Sequence, residues 1–284
     1  MTSVLTWNIQ NGLGVNGDRS LERIAQVIHS HGDPDVLCLQ EVSRHLVLDH
    51  GVAAPDQVSE LAQLFPEYEP VFGAAYDIVQ RDNGQRAQYG NLILSRLPVL
   101  SRFSHPLPQP PCGGEMQMPR QAMEVSVMAH DGPLRVMTTH LAFHSATERL
   151  AQIKAFKSIH EAIVQVAEHP PKQLSSGPYQ AFDRASRAVL CGDFNCLPES
   201  DEWTELFETA PTSKARLQDA WRVLSGETPH KPTCGIFDQT QWPQGGHCRD
   251  YFAVGGELAS QIIGMVTDTN TDASDHQPIR LTLS

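Results

Sequence analysis

The chain has 284 residues, 40% of them apolar, and carries 33 acidic against 21 basic side chains, for a formal charge of −12 with its 13 histidines neutral. Enough apolar material is present to bury a sizeable core, which excludes disorder as the global state. The sign of the charge excludes a generic basic nucleic-acid coat. No window reaches the roughly 20 apolar residues of a membrane span, and Met1 to Asn8 lack the charged and apolar segments of a signal peptide. The expectation is a cytoplasmic protein with no membrane span. Cys38, Cys112, Cys191, Cys196, Cys234 and Cys248 form neither a dense framework nor a Cys-x-x-Cys pair, so they read as thiols in a reducing compartment.

In chain order, Val4-Leu5-Thr6 leads into Trp7 and Asn8 as a short strand that breaks on a loop with Gly12, Gly14 and Gly17. Leu21, Ile24, Val27 and Ile28 then recur at helical spacing, between a cap at Asp18 or Ser20 and a stop at Gly32. After Asp33-Pro34, the unbroken apolar run Val36 to Leu39 predicts a strand buried on both faces that ends at Gln40-Glu41. A helix is predicted over 58–65, closed by Pro66, and strands over 91–94, 123–128 and 134–139. The longest helix, over 147–168, carries a stripe with Leu150, Ile153, Phe156 and Ile163 and ends before Pro170-Pro171. Val189-Leu190-Cys191 runs into Gly192, a helix spans 201–207, and strands over 250–254, 262–266 and 279–283 complete the chain.

Strands and helices interleave, but several connections are too short for a crossover helix, which predicts mixed sheets. No linker divides the chain, so one domain over 1–284 is expected, and no internal repeat is visible in residue identities. Three long loops, 105–120, 168–187 and 226–249, are either functional or disordered.

The chemistry lies where strands stop. Asn8, Glu41, Asn91, His140, the Gly192-Asp193-Phe194-Asn195 run, Asp250 and the Ser274-Asp275-His276 run each sit at or just past an apolar strand. Strand ends gather at one edge of a sheet, so these groups can converge although they span most of the sequence. Carboxylate and amide oxygens with few ligands per ion suit Mg²⁺ or Mn²⁺. Taken singly, each has an ordinary explanation: Asn8 as a turn residue, Glu41 as a solvated strand end, Asp250 as a cap, His140 as a bonded core histidine. Asp193 and Asn195 weigh more, because alternate positions in an extended segment share a face.

As a set, Trp7-Asn8, Leu39-Gln40-Glu41-Val42, Gly90-Asn91-Leu92-Ile93-Leu94-Ser95-Arg96, Thr139-His140-Leu141, Gly192-Asp193-Phe194-Asn195, Asp250-Tyr251-Phe252 and Ser274-Asp275-His276-Gln277-Pro278 resemble the ordered motifs of the endonuclease/exonuclease/phosphatase superfamily. The resemblance covers residues 4 to 281. It implies a four-layer α/β sandwich of the deoxyribonuclease-I-like kind, two mixed β-sheets packed face to face with helices outside. It also implies metal-dependent hydrolysis of phosphate esters, usually with Mg²⁺. Carried over by position, Glu41 is the principal metal ligand with Asn8 nearby and Asp275 as a further carboxylate. Asp193 orients or deprotonates the attacking water, Asn195 bonds the phosphate or that water, and His276, oriented by Asp250, contacts phosphate or moves a proton. Asn91 and Arg120 are assigned to the substrate, with an ordinary surface arginine as the alternative for Arg120. His140 matches the acid/base histidine of the deoxyribonuclease-I branch, whose carboxylate partner has only Asp82 as a weak counterpart here.

The substrate is the open question, because loops set it. The charge of −12 argues against a long duplex footprint, although Arg81, Arg86, Arg96, Arg102 and Arg120 could line a local basic rim. Three readings follow: a phosphodiesterase, with a nuclease as one case; a phosphatase for a sugar, inositol or lipid-head-group phosphate; and a non-catalytic binding module. A zinc site from His230, Cys234, His247 and Cys248 fits no closed ligand set, and the loop that carries them, with Trp242 and Pro243, is expected to shape the rim of the site. The excursion 105–119 is either a lid or a surface feature.

Overall fold

A computed structural model describes residues 1–48, 55–81, 83–208 and 215–284. Its strands form two six-stranded sheets. In the first, β1 (Thr2–Asn8) lies parallel to β2 (Val36–Arg44), and the chain between them contains helix α1 (Leu21–Ser30). Antiparallel to β2 runs β4 (Arg86–Ser95), with β3 (Glu69–Val79) at the edge and α2 (Gln57–Leu64) outside. On the other side of β1 lie β12 (Ile279–Leu283) and then β11 (Ile262–Thr267), both antiparallel.

The second sheet is ordered β5 (Val99–Pro106), β6 (Gln121–Ala129), β7 (Gly132–His140), β8 (Ala188–Asp193), β10 (Asp250–Gly255) and β9 (Leu217–Asp219). Here β7 and β8 are the parallel pair, and the long helix α3 (Ala146–Glu168) lies between them in sequence. Helices α4 (Asp201–Phe207) and α5 (Ala220–Ser225) flank β9. Both sheets thus show one pattern of pairings, two antiparallel, one parallel at the centre, two antiparallel. Residue identities carry no trace of this doubling.

Alternation along the strands builds four layers. Val4, Val36, Cys38 and Ile93 from the first sheet meet Val125, Val136, Val189, Cys191 and Phe252 from the second in the central core. The intervening residues Leu5, Leu37, Leu39 and Leu92 pack outward against Ile24, Ile28, Leu61 and Phe65 around α1 and α2. On the opposite side Met137, Leu190 and Tyr251 pack against Ile153, Phe156, Trp203 and Leu206. A strand covered on both faces needs an unbroken apolar run, which is why Val36 to Leu39 shows no polar alternation. The architecture is therefore the expected sandwich of two mixed sheets with helices outside. No helix is long and apolar enough to cross a membrane, and all six cysteines are free thiols.

Local outcomes refine the sequence reading. Ser20, not Asp18, caps α1 by accepting from the Arg23 N–H. The strand expected to stop at Gln40-Glu41 continues to Arg44 through a bulge: Leu39 pairs with Leu92 and Val42 with Gly90, so Gln40 and Glu41 together oppose Asn91. Strands β3, β5 and β9 and helix α5 were not anticipated. β3 and β5 are edge strands with largely exposed or half-buried patterns, and β9 has only three residues, so none carries a clear apolar period.

Candidate functional site

The C-terminal ends of the two central parallel pairs open at one place. Asn8 ends β1 beside Gln40, and His140 ends β7 beside Asp193 at the end of β8. Asp250 starts β10 directly opposite Asp193. The segments entering β12 and β6 contribute Asp275, His276 and Arg120. A cavity of about 360 Å³ is lined by Asn8, Glu41, Arg120, His140, Asp193, Asn195, Asp275 and His276 together with rim residues from three loops. Of the residues read from sequence, Asp250 and Asn91 do not line it.

Backbone geometry aims the side chains. Glu41 sits in the bulge at φ +58°, a left-handed conformation that costs such a residue of the order of 1–3 kcal/mol, and Asn195 lies at φ +51°, which asparagine tolerates. Gly192 has φ +132°, and a Cβ there would lie 2.0 Å from the Thr139 carbonyl oxygen, so only glycine admits this approach of β7 to β8. The next residue, Asp193, accepts the Asn195 N–H at 2.9 Å on Oδ1, while Asn195 Nδ2 donates to the Leu141 carbonyl at 3.0 Å. Phe194, fully buried between Phe156 and Tyr251, anchors the turn.

The terminal motifs of the chain are tied together. Ser274 Oγ donates to the Asn8 carbonyl at 2.8 Å, and Trp7 Nε1 donates to the His276 carbonyl at 2.9 Å. These bonds explain why a tryptophan precedes Asn8 and a serine precedes Asp275. Asn8 Nδ2 donates to Glu41 Oε1 at 3.1 Å and to Asp193 Oδ2 at 3.0 Å, bridging carboxylates from the two sheets.

His276 Nδ1 bonds Asp250 Oδ2 at 2.9 Å, and its Nε2 lies 3.6 Å from Asp193 Oδ2. Thr233 completes this chain by donating to Asp250 Oδ2 at 2.6 Å and accepting from the Asp250 N–H at 3.1 Å. Nothing in sequence distinguishes that threonine within a long loop. His140 Nε2 lies 3.4 Å from Asp193 Oδ2, and its Nδ1 lies 3.8 Å from Glu41 Oε1, buried without a hydrogen bond. The nearby carboxylates of His140 are therefore Asp193 and Glu41; Asp82 lies outside the described residues.

The two histidines are driven in opposite directions. Burial and then the Arg120 charge hold His140 well below the ordinary imidazole range. Burial also opposes the charged form of His276, but Asp250, Asp193 and Asp275 outweigh it and raise its pKa well above that range. Burial raises Asp250 to about 6 despite the His276 charge. Asp193 is equally buried, yet the charges of His276 and His140 and the Asn8 hydrogen bond lower its pKa. Glu41 and Asp275 are both raised, chiefly by burial, with Asp275 adding to Glu41 and Asp193 adding to Asp275.

Arg120 is the sole arginine lining the cavity among the described residues, 7% exposed, with a buried Nε that has no hydrogen-bond partner. Arg96 pairs with Asp35 and Arg86 with Asp77, so the five arginines do not assemble a basic rim there. Asn91 Nδ2 donates to the Gln121 carbonyl at 3.3 Å, behind Arg120. Loop 226–249 does reach the rim through Gln241 and Trp242, and the excursion 105–119 does so through Met116, Gln117 and Met118. Loop 168–187 instead borders a separate groove against α3. Of the cysteine and histidine set read for zinc, His230 bonds Asp219 at 2.7 Å and Cys234 Sγ meets His247 Nε2 at 3.2 Å. Among the described residues the one group of three or more histidine, cysteine, aspartate or glutamate side chains whose ligand atoms all lie within 4.8 Å of one another is Asp193, Asp250 and His276.

The double-sheet sandwich that carries this cavity has counterparts among solved structures. An endonuclease/exonuclease/phosphatase from Beutenbergia cavernae DSM 12333 aligns with TM-score 0.69 at 21% identity, over 99% of this chain and 70% of that one. The mannosyl-6-phosphatase of Bacteroides thetaiotaomicron VPI-5482 aligns with TM-score 0.68 at 17% identity over the full length of both chains. D. rerio TDP2 complexed with a single-strand DNA product aligns with TM-score 0.60 at 20% identity, over 100% of this chain and 98% of that one. At such identities the likeness is one of fold. No curated protein matches the chain. The model of the Endonuclease/Exonuclease/phosphatase family matches residues 5–276, nearly the whole sequence, and the chain belongs to that family.

Proposed function

We propose that this protein, as a single catalytic domain over 1–284, is a divalent-metal-dependent phosphoester hydrolase in which water attacks phosphorus. Phosphodiesters are the leading substrate class and small phosphomonoesters the second. The observation that carries the reading is the meeting of Asn8, Glu41, His140, Asp193, Asn195, Asp275 and His276 on one cavity. Members of this family are phosphoester hydrolases, and the similar structures include TDP2 with a single-strand DNA product and a mannosyl-6-phosphatase.

The residues fit a hard cation. Glu41, half-buried, and Asp275, buried, are carboxylates that repel each other, and no lysine or arginine pairs with either within 4.0 Å among the described residues. They and Asn8 would hold the ion, Mg²⁺ or Mn²⁺ by the oxygen character of the set. The Asp193, Asp250 and His276 group is closer-knit, but the 2.9 Å bond between His276 and Asp250 satisfies it internally. Bound there, the ion supplies Lewis-acid charge for the phosphoryl and leaving oxygens.

The chain's own groups supply the rest. Asp193, held by Asn8 and the Asn195 N–H, orients the attacking water; its lowered pKa makes positioning a better task for it than strong-base catalysis. His276, fixed through Nδ1 by Asp250, presents Nε2 as a donor to a phosphoryl oxygen, with Thr233 steadying Asp250. Asn195 and the neutral His140 bond the phosphate or the water. Arg120, whose buried Nε has no hydrogen-bond partner, meets the phosphate with its guanidinium, and Asn91 positions the start of the strand that follows it. The monoester reading draws on the lone cavity arginine, since long polynucleotides depend on many cationic contacts.

The test is hydrolysis of bis(p-nitrophenyl) phosphate, common phosphomonoesters, short oligonucleotides and supercoiled DNA with Mg²⁺, Mn²⁺ or chelator. Activity should require the metal, and Glu41→Ala and His276→Ala should each lower kcat by about 100-fold or more. Wild-type turnover in either variant would sink the assignment, and silence across the whole panel would leave the binding-module reading.

A further inference from the structure

We infer that the cavity wall formed by Gln117, Glu148 and Gln241 binds the hydroxyl groups of a small, neutral, polyhydroxylated alcohol. The ester would then be a phosphomonoester of a sugar or polyol, an inference that rests on the hydrolase reading and favours its second substrate class over the first. Glu148 lines the cavity, is 1% exposed, and pairs with no described cation within 4.0 Å. Its Oε1 accepts from Gln152 at 2.9 Å and its Oε2 from Gln117 at 2.8 Å.

Ser145 and Glu148 have the spacing of a capping box, and Ser145 Oγ accepts the Glu148 N–H at 3.3 Å. The carboxylate nevertheless does not return to the Ser145 N–H. It spans from α3 to the 107–120 loop, and each oxygen keeps a free acceptor site. The carboxylate holds two amide donors and lies in the first turn of α3, and at the cavity its remaining acceptor sites point to a ligand that donates hydrogen bonds.

The neighbouring groups fit the same ligand. Gln117 uses its amide nitrogen on the Pro110 carbonyl and Glu148, leaving its carbonyl oxygen to accept, and Gln241 adds an exposed amide with both donor and acceptor. Hydroxyls donate and accept at once and match such a mixed wall. Phe143 and Trp242, edge to face at 5.6 Å, supply apolar surface for the carbon-bound hydrogens of a ring or chain. A cationic alcohol such as choline fits poorly, because the Arg249 guanidinium already sits 4.7 Å from the Trp242 ring centroid and the amides would go unpaired. A polynucleotide would set flanking phosphates against Glu148, where Arg120 is the one described arginine lining the cavity itself.

The experiment compares a hexitol phosphate, phenyl phosphate, choline phosphate and a short oligothymidylate, each assayed with Mg²⁺. The hexitol ester should have the highest kcat/KM. Glu148→Gln should lower the hexitol-to-phenyl ratio of kcat/KM about tenfold, mainly through KM, as expected for one lost hydrogen bond to a charged group. Because Glu148 also ties the loop to α3, Gln241→Ala is the second variant, and it should lower the same ratio. Equal losses on both esters, or a preference for the choline or nucleotide substrate, would overturn the inference. Calorimetric binding of the hexitol and phenyl phosphates to the His276→Ala protein reads the preference without turnover. A chain that hydrolyses nothing would therefore sink the hydrolase reading alone, while equal binding of the two ligands would sink this one.

Discussion

Glu41 illustrates how a single residue at the cavity can carry backbone strain and an unfavourable charge together. It is held at φ +58° in a bulge, and burial and Asp275 both raise its pKa. Asparagine tolerates that backbone far better and removes the charge. Glu41→Asn is therefore expected to stabilise the metal-free protein by about 1 kcal/mol, seen as a higher urea midpoint, while abolishing hydrolysis. An unchanged or lower midpoint would mean that the bulge stores no such strain. Thr233 works at one remove, through Asp250. Thr233→Val should cost about 1–2 kcal/mol of transition-state stabilisation, roughly 5- to 30-fold in kcat, and shift the histidine limb of the pH–rate profile. Thr233→Ser should restore both, whereas a merely structural threonine would leave the profile in place.

At the scale of elements, the site depends on how strand ends are cut. The continuous strand run at 36–39 and the stripe of α3 were legible because burial on two faces, or on one helical face, imposes a period that a sequence displays. The bulge at Gln40-Glu41 was not, since polar residues after an apolar run look like a strand end whether the strand stops or buckles. Edge strands β3 and β5 escaped for a related reason: half of each faces solvent, so no apolar period is required of them. Gly192 is the sharpest element-level constraint. With a Cβ 2.0 Å from the Thr139 carbonyl oxygen, Gly192→Ala must separate β7 from β8. It should lower stability by about 3 kcal/mol or more and displace both His140 and Asp193. A native-like thermal midpoint with intact activity would contradict that packing.

Over the whole molecule, a second charged cluster lies away from the cavity and adds to the acid sensitivity that the lowered His140 and Asp193 already imply. Glu124 accepts from Arg184 at 2.7 and 3.0 Å and from His105 at 2.9 Å; burial opposes its charge, but these partners lower its pKa to about 2. His160 Nδ1 lies 2.6 Å from the Arg135 guanidinium, and burial and that charge lower its pKa to about 3. Both pKa values fall below those of the unfolded chain, so both contributions are complete at high pH and lost on acidification. His160 acts first, as the unfolded state takes up its proton below about pH 6.5, and Glu124 joins below about 4.5, each adding a slope of up to about 1.4 kcal/mol per pH unit. Urea midpoints of wild type and His160→Gln, which keeps an acceptor for Arg135, should converge or cross as pH falls from 6.5 to 5. A constant difference between them would refute the assignment.

What the sequence by itself determined were the features written in local chemistry. Apolar runs set the strands, and polar residues placed at their ends marked the cavity, because the ends of adjacent parallel strands must share one edge of a sheet. What only the tertiary structure decided was everything that depends on two distant segments meeting. The docking of Thr233 on Asp250, the closeness of His140 to Glu41 and Asp193, the isolation of Arg120 and the joining of Gln117 to Glu148 all arise from packing one sheet and its loops on the other. The physical reason is that propensity and period act over a few residues, whereas burial, charge and hydrogen-bond partners are properties of neighbours that the chain brings together only on folding.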